Sequence, residues 1–205
     1  MSVDRRITKS KKAMKEALLT LMKTKDFRKI TITDIVKASD LNRGTFYKHY
    51  QSKEELLDDL INEVLNDLIH SYEQPFENTE RFFVKHLTPS AIKIFEHVKR
   101  YASFYEIIIN SNVLPGFEKK LCDIFKMLAM KDVAATVQRK ENIAPFILTS
   151  FTAYGLYGII VDWVQSGFAQ SPQYMAEQLV KLLAVDFNNT IIDTTKRKDE
   201  SHIIH

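Results

Sequence analysis

The residues best suited to recognition chemistry lie between positions 31 and 50, in the run TITDIVKASDLNRGTFYKHY. Hydrogen-bond donors cluster in its second half, and small or apolar residues recur between them. The donors are Arg43, Thr45, Tyr47, Lys48 and His49, and the apolar set is Ile35, Val36, Ala38, Leu41, Phe46 and Tyr50. Two short helices packed through the apolar set would expose the donors together. That is the layout of a helix-turn-helix, whose second helix enters the major groove of DNA.

Local signals predict where these two helices begin. Thr31 and Asp34 form a variant of the capping box, in which both side chains accept hydrogen bonds from free backbone N–H groups. Asn42 is a suitable N-cap for the second helix, and Asp40 in the turn tolerates a left-handed backbone. The predicted helices cover 33–39 and 43–50.

The elements around this motif are also predicted to be helical. Apolar residues recur every four positions in 8–25, which indicates an amphipathic helix. Ser52 and Glu55 form a second capping box, which predicts a long helix from Lys53 to Ser71. Further helices are predicted at about 79–87, 89–101, 102–112, 116–138, 144–166 and 172–190. With only five Gly and five Pro in 205 residues, the sequence favours an all-α fold.

Charge is distributed unevenly along the chain. Residues 1–53 carry 14 Lys and Arg but five Asp and Glu, whereas the remainder carries 15 Lys and Arg and 21 Asp and Glu. A basic head on an acidic body indicates a polyanionic partner for the head. An unevenly charged solvated surface would give the same asymmetry, so charge alone does not decide between the two.

Several function classes lack support in the sequence. Cys122 is the single cysteine, which excludes an internal disulfide and fits the reducing cytoplasm. The most apolar stretch, 143–164, is interrupted by polar residues and is predicted to be a buried helix, so we expect no membrane span. Enzyme motifs are absent and the six His are scattered, so we expect no catalytic residues, metal site or cofactor.

Three segments of the chain together resemble the TetR family of transcription regulators. These are ITDIVKA at 32–38, RGTFYKHY at 43–50 and SKEELL at 52–57. The string Thr-Phe-Tyr-x-His-Tyr followed by Lys-Glu-x-Leu is highly specific, and the strong similarity covers about residues 8–60. The resemblance implies a three-helix DNA-binding domain at 1–52 and a helical regulatory and dimerisation domain at 53–205.

The resemblance also assigns DNA contacts by position. It implies that Arg43, Gly44, Thr45 and Lys48 face bases or the adjacent backbone. It implies that Thr33, Tyr47, His49 and Lys53 bind phosphates, with Lys53 at a helix N-terminus. The expected DNA-binding set is completed by Thr31 and Asn42. For Tyr47 and His49 the alternative is a place in the core, and for Lys53 it is simple solvation.

The last part of the chain resembles one TetR subgroup, which includes relatives of dihydroxyacetone-kinase operon activators. The resemblance rests on Gly158, Trp163, Gly167-Phe168 and the Ser171-Pro172 segment. In the family the last two helices form the dimer interface, and a homodimer is therefore expected here. The expected interface residues are Ile160, Val164, Leu179, Leu182 and Leu183. Ordinary core packing is the alternative for each of them.

Aromatic residues are concentrated in two segments of the body, Tyr101–Ile109 and the predicted helix at 144–166. We expect them to line a pocket for a small apolar or aromatic effector, because such pockets are mostly apolar with a few orienting polar groups. The expected lining residues are His97, Tyr101, Phe104, Tyr105, Phe151, Tyr154, Tyr157 and Trp163. The alternative is that these side chains fill the core.

Together these features predict a regulator that binds a palindromic DNA operator as a dimer. An effector bound in the body would favour a different spacing of the two heads. Repression is the expected direction, by analogy with the family. The alternative is a coactivator of the same fold that acts through a partner protein.

Overall fold

The computed structural model describes residues 2–74, 88–89, 92–110, 114–135 and 143–183. Within these ranges the chain forms helices joined by turns, and they contain no strand, which confirms the all-α expectation. The helices are α1 Ser2–Met22, α2 Ile32–Ala38, α3 Arg43–Tyr47, α4 Lys53–Glu73, α5 Ile94–Arg100, α6 Ala102–Asn110, α7 Phe117–Ala135, α8 Pro145–Gln165 and α9 Pro172–Leu183. A short 3-10 turn, Phe27–Lys29, joins α1 to α2.

The start of α2 forms as its sequence predicts. The Thr31 hydroxyl accepts from the backbone N–H of Asp34, and the Asp34 carboxylate accepts from the backbone N–H of Thr31. Lys25 Nζ lies 2.7 Å from the same carboxylate. The ammonium group of Lys25 and the N–H of Thr31 together lower the pKa of Asp34 to about 2.

A lowered pKa makes this cap dependent on pH. The ionised Asp34 stabilises the folded head above its ordinary pKa, and we expect this contribution to be lost as pH falls from about 3.8 to about 2. As pH falls through that window, the melting temperature of the wild type should therefore fall more steeply than that of Asp34→Asn. Asp58→Asn, which alters an exposed carboxylate of α4, is the control. Parallel pH profiles for wild type and Asp34→Asn would contradict this role.

The turn between α2 and α3 also matches expectation. Asp40 adopts φ +54°, and the Leu41 N–H donates to the Val36 carbonyl at 2.8 Å. Asn42 caps α3 through a hydrogen bond from the Thr45 N–H. However, α3 ends at Tyr47, three residues before the predicted end.

A hydrophobic core joins α1, α2 and α3 of the head to the start of α4. One or two side chains from each helix are fully buried in it, and none is polar. They are Met14 and Leu18 of α1, Ile35 of α2, Phe46 of α3 and Leu56 of α4, each 0% exposed. Burial of side chains this large contributes about 1.5–3 kcal/mol each. Because Phe46 belongs to this core, the core holds α3 in one orientation relative to α1, α2 and α4.

The body continues from the second half of α4. There α7 packs along α8, α6 contacts α8, and α9 contacts α5. Since α4 contacts both α1 and the body helices, the domain boundary expected at residue 52 stays a prediction. The helix predicted at 79–87 and the end of the one predicted at 172–190 lie outside the described residues.

The helix expected to be buried, α8, is buried on one side only. By length and composition alone it could cross a membrane. Yet Ala153, Ile160 and Trp163 lie in the protein core at 0–2% exposure, and Trp163 Nε1 donates to the Gln170 carbonyl after the helix. The opposite side is open, with Phe151 76% exposed. The body therefore uses α8 as a core helix and leaves one apolar face uncovered.

Candidate nucleic-acid interface

The exposed side of α3 carries the donors that the sequence singled out. Phe46 is 0% exposed and anchors the helix, whereas Arg43, Tyr47 and Lys48 are exposed. Arg43 Nη2 lies 3.4 Å from the Tyr47 hydroxyl oxygen, and the guanidinium group is 6.0 Å from the Tyr47 ring centroid. A cation and a phenol are thus held side by side on the face of α3 that points away from the core.

Two of the polar residues expected at DNA act as helix caps. The hydroxyl of Thr31 and the side-chain oxygen of Asn42 accept from the first turns of α2 and α3. The Thr45 hydroxyl donates to the same Asn42 oxygen at 3.2 Å. A Cβ on Gly44 would come within 3.2 Å of it, so glycine leaves room for the cap. These residues set the position of the α3 N-terminus.

The remaining residues expected at DNA lie at the edges of this face. Thr33 is exposed in the first turn of α2. His49 is half-buried beside Tyr50, with ring centroids 6.4 Å apart. Tyr50 itself is 3% exposed, as expected of a core residue.

Lys53 differs from its expected role. Its ammonium group donates to the backbone carbonyls of Phe27, Arg28 and Ile30 at 2.9, 3.1 and 2.9 Å. It also lies 4.7 Å from the centroid of the Phe27 ring. An ammonium group has three hydrogens to donate, and all three are used here. Lys53 therefore holds the turn between α1 and α2 against the start of α4, and no donor remains for a phosphate in this arrangement.

A polar network holds α4 beside α1 and beside Tyr50, which follows α3. Sequence reasoning did not predict this network. The Tyr50 hydroxyl donates to Asp59 Oδ2 at 2.6 Å, and Lys15 Nζ lies 2.9 Å from the same oxygen. Lys15 also pairs with Glu63. Burial acts to raise the pKa of Asp59, but the hydrogen bonds from Tyr50 and Lys15 outweigh it and the pKa is lowered. No local signal could have revealed these pairs, because they join residues up to 48 positions apart.

Four of the residues expected to line an effector pocket are buried. His97, Phe104, Tyr105 and Trp163 are all at most 2% exposed and belong to the core. Tyr101 packs against the His97 ring with centroids 4.9 Å apart.

His97 is the centre of a buried hydrogen-bond chain. Its Nδ1 lies 2.6 Å from Asp67 Oδ2 on α4, and its Nε2 lies 2.9 Å from the Tyr105 hydroxyl on α6. Burial lowers the pKa of His97, although the neighbouring Asp67 opposes this shift. The chain links α4, α5 and α6, so the role of His97 is to join helices.

One expected pocket residue, Tyr157, does line a cavity. An open cavity of about 390 Å³ lies where α6 leads into α7, over α8. Its lining combines apolar side chains with an amide and a carboxylate. The residues are Ile108, Ile109, Asn110, Leu114, Pro115, Gly116, Phe117, Glu118 and Tyr157. The other two expected lining residues, Phe151 and Tyr154, lie on the exposed surface at 76% and 50%.

The residues expected at a dimer interface divide into two groups. Ile160 and Val164 are 0% and 2% exposed within the protomer, so they cannot contribute surface to a partner. Leu182 and Leu183 are 48% and 51% exposed on α9, and Leu179 is half-buried. The first two are covered because α8 turns that side toward its own core, and an interface role stays a prediction for the exposed residues of α9.

Comparison with known proteins identifies the class. Residues 16–60 match the family described as bacterial regulatory proteins, tetR family, and residues 85–184 match a transcriptional regulator C-terminal region of the same group. The chain belongs to the TetR family of transcriptional regulators, and the recognition made from the sequence is confirmed.

Individual relatives agree with this assignment. YxbF of Bacillus subtilis (strain 168), described as an HTH-type transcriptional regulator, is 23% identical over 171 residues. That similarity covers 83% of this chain but 44% of YxbF, so the chain spans less than half of that relative. The dihydroxyacetone kinase operon activator DhaS has a similar fold at TM-score 0.61 and 18% identity, covering 85% of this chain and 94% of that one. A TetR-family regulator from Syntrophomonas wolfei gives TM-score 0.66 at 18% identity, with 91% and 99% covered.

Proposed function

We propose that this chain is a cytoplasmic, ligand-responsive repressor that binds a palindromic operator as a homodimer. The observation that carries the proposal is the exposed side of α3. Arg43, Tyr47 and Lys48 project from a helix anchored by the fully buried Phe46. Side chains on such a helix can reach base edges in the major groove, where each base pair shows a distinct pattern of donors and acceptors.

The charge of the head supports DNA as the partner. The head has an excess of nine positive charges over residues 1–53, and the rest of the chain has an excess of six negative charges. Cations near the duplex displace condensed counterions, which supplies affinity that does not depend on sequence. The acidic body would be repelled by DNA, so the charge distribution orients the head toward the duplex.

The uncovered face of α8 supports a homodimer. Ile147, Phe151 and Tyr154 are 52%, 76% and 50% exposed, and Gly155 and Gly158 follow on the same face. A Cβ on either glycine would meet no atom within 4 Å in the protomer, so the fold itself does not require them. Glycine in a helix costs about 1 kcal/mol relative to alanine. A second helix that approaches α8 closely would compensate for that cost.

The cavity beside Tyr157 is our candidate for the effector site. Its volume of about 390 Å³ lies within the range of small-molecule sites. It connects the end of α6 to the start of α7, and α7 packs along α8. A ligand bound there could shift α8 and thereby the spacing of the two heads. Since Asn110 and Glu118 are part of the lining, the effector would carry polar groups that pair with an amide and a carboxylate.

The test of the proposal is Arg43→Ala on DNA selected by the purified protein. If Arg43 contacts a guanine edge, the variant should lose about 1–3 kcal/mol on the preferred operator and discriminate less at that base pair. Fluorescence anisotropy on operator and random duplexes measures both quantities. Lys37→Ala, which removes an exposed cation from α2, is the matched control.

The outcomes separate the proposal from its alternative. Equal losses on operator and random DNA would remove the base-contact role from Arg43. Failure of the wild type to bind any duplex at low salt would favour a coactivator that acts through a partner protein. In that case the exposed face of α8 would be the first surface to examine for the partner.

A further inference from the structure

The cavity beside Tyr157 takes its polar lining from three different helices. Asn110 ends α6, Glu118 lies in the first turn of α7, and Tyr157 belongs to α8. Among the lining residues that the structure describes, Glu118 is the one with a charged side chain. A molecule in the cavity would therefore meet a single carboxylate, an amide and a phenol beside apolar side chains.

The Glu118 carboxylate is accessible and has no positive partner. It is exposed, and it forms no ion pair with any lysine or arginine in the described part of the chain. The neighbouring Lys119 is instead paired with Asp123 at 2.9 Å. Burial raises the pKa of Tyr157, and the negative charge of Glu118 adds to this shift. The carboxylate is thus close enough to act on Tyr157, whose hydroxyl keeps its proton and can donate a hydrogen bond.

The two helix ends that meet at the cavity do not decide its charge. The last turn of α6 carries about half a negative elementary charge, and the first turn of α7 carries about half a positive one. Both turns are part of the lining, so these partial charges oppose each other. The full charge of Glu118 is therefore the largest electrostatic feature of the lining, and it favours a cation over an anion.

We propose that this cavity binds a small organic cation, a protonated amine on an apolar or aromatic body, with Glu118 as its counter-ion. The inference rests on the proposed function, in which this cavity is the effector site, and it names the chemical class of the effector. The ammonium group donates a charge-assisted hydrogen bond to the Glu118 carboxylate. The body of the ligand contacts apolar lining residues such as Ile108 and Leu114.

The test uses probes that share one phenethyl body but differ in charge: phenethylamine, phenethyl alcohol and hydrocinnamate. Calorimetry at neutral pH measures the binding of each probe to the full chain without DNA. We expect the amine to bind the wild type about tenfold or more tightly than the alcohol, the effect of one charge-assisted hydrogen bond. The anionic hydrocinnamate should bind most weakly. In Glu118→Gln the preference for the amine should disappear, whereas the affinity for the alcohol should stay the same.

The matched control is Glu54→Gln, which removes an exposed carboxylate from the first turn of another long helix, α4, and should keep the preference for the amine. Equal binding of amine and alcohol by the wild type would overturn the inference. So would failure of all probes to bind, tighter binding of hydrocinnamate, or a preference for the amine that persists in Glu118→Gln. Operator binding is measured separately, with and without the amine. If the amine binds through Glu118 but the wild type binds no duplex, the proposed function fails and the cation site stands.

Discussion

If the proposed homodimer forms through α8, Phe151→Asp should convert it into a monomer and weaken operator binding by about 100-fold or more. Phe151 is 76% exposed in the protomer, so the carboxylate does not disturb the fold of one chain. In a dimer it would bury a charge against the apolar face of a second α8, which is strongly unfavourable. A monomer would bind one half-site without the gain from linking two, and that gain is about 10²–10⁴-fold.

Light scattering measures the mass, and anisotropy on a palindromic duplex measures the affinity. The control is Lys120→Asp, which introduces an aspartate at an exposed position of α7 instead. This variant should keep the oligomeric state of the wild type and bind the operator with nearly the same affinity. Ile160→Lys would not serve as a test, because Ile160 is fully buried and the new charge would destabilise the protomer itself. A stable dimer for Phe151→Asp would place the interface elsewhere on the surface.

Lys53→Met should destabilise the head by about 1.5–3 kcal/mol, the range for hydrogen bonds that involve a charged group. Methionine keeps an apolar stem beside the Phe27 ring but removes the donors to three carbonyls. The turn before α2 would then lose its link to α4. Thermal unfolding measures the loss, with Lys23→Met, an exposed lysine of the head, as the control.

The same variant decides between a structural role and a phosphate contact for Lys53. If Lys53 only holds the turn, the slope of log K against log salt should equal that of the wild type under conditions where both are folded. If Lys53 binds a phosphate in each subunit, the slope should become shallower by about 1.8. A shallower slope with unchanged stability would restore the role expected from the sequence.

The helix-turn-helix could be predicted because its signals are local. Thr31 and Asp34, and the cap at Asn42, act within three residues of each other, so their hydrogen bonds follow from the order of residue types. Phe46 and Tyr50 recur at helical spacing, and both are buried. The sequence by itself therefore determined the fold class, the family and the side of α3 that is exposed.

The tertiary structure decided which face of each body helix is buried and which polar groups pair. Since α8 is apolar on every side, its sequence does not distinguish Ile160 in the core from Phe151 at the surface, and only packing against neighbouring helices does. Likewise, the ammonium group of Lys53 meets carbonyls 23 to 26 residues away, and no local pattern encodes that separation. Side-chain partners that are distant in the chain depend on how all the helices pack together, because the free energy of burial favours the arrangement that removes the most apolar surface from water.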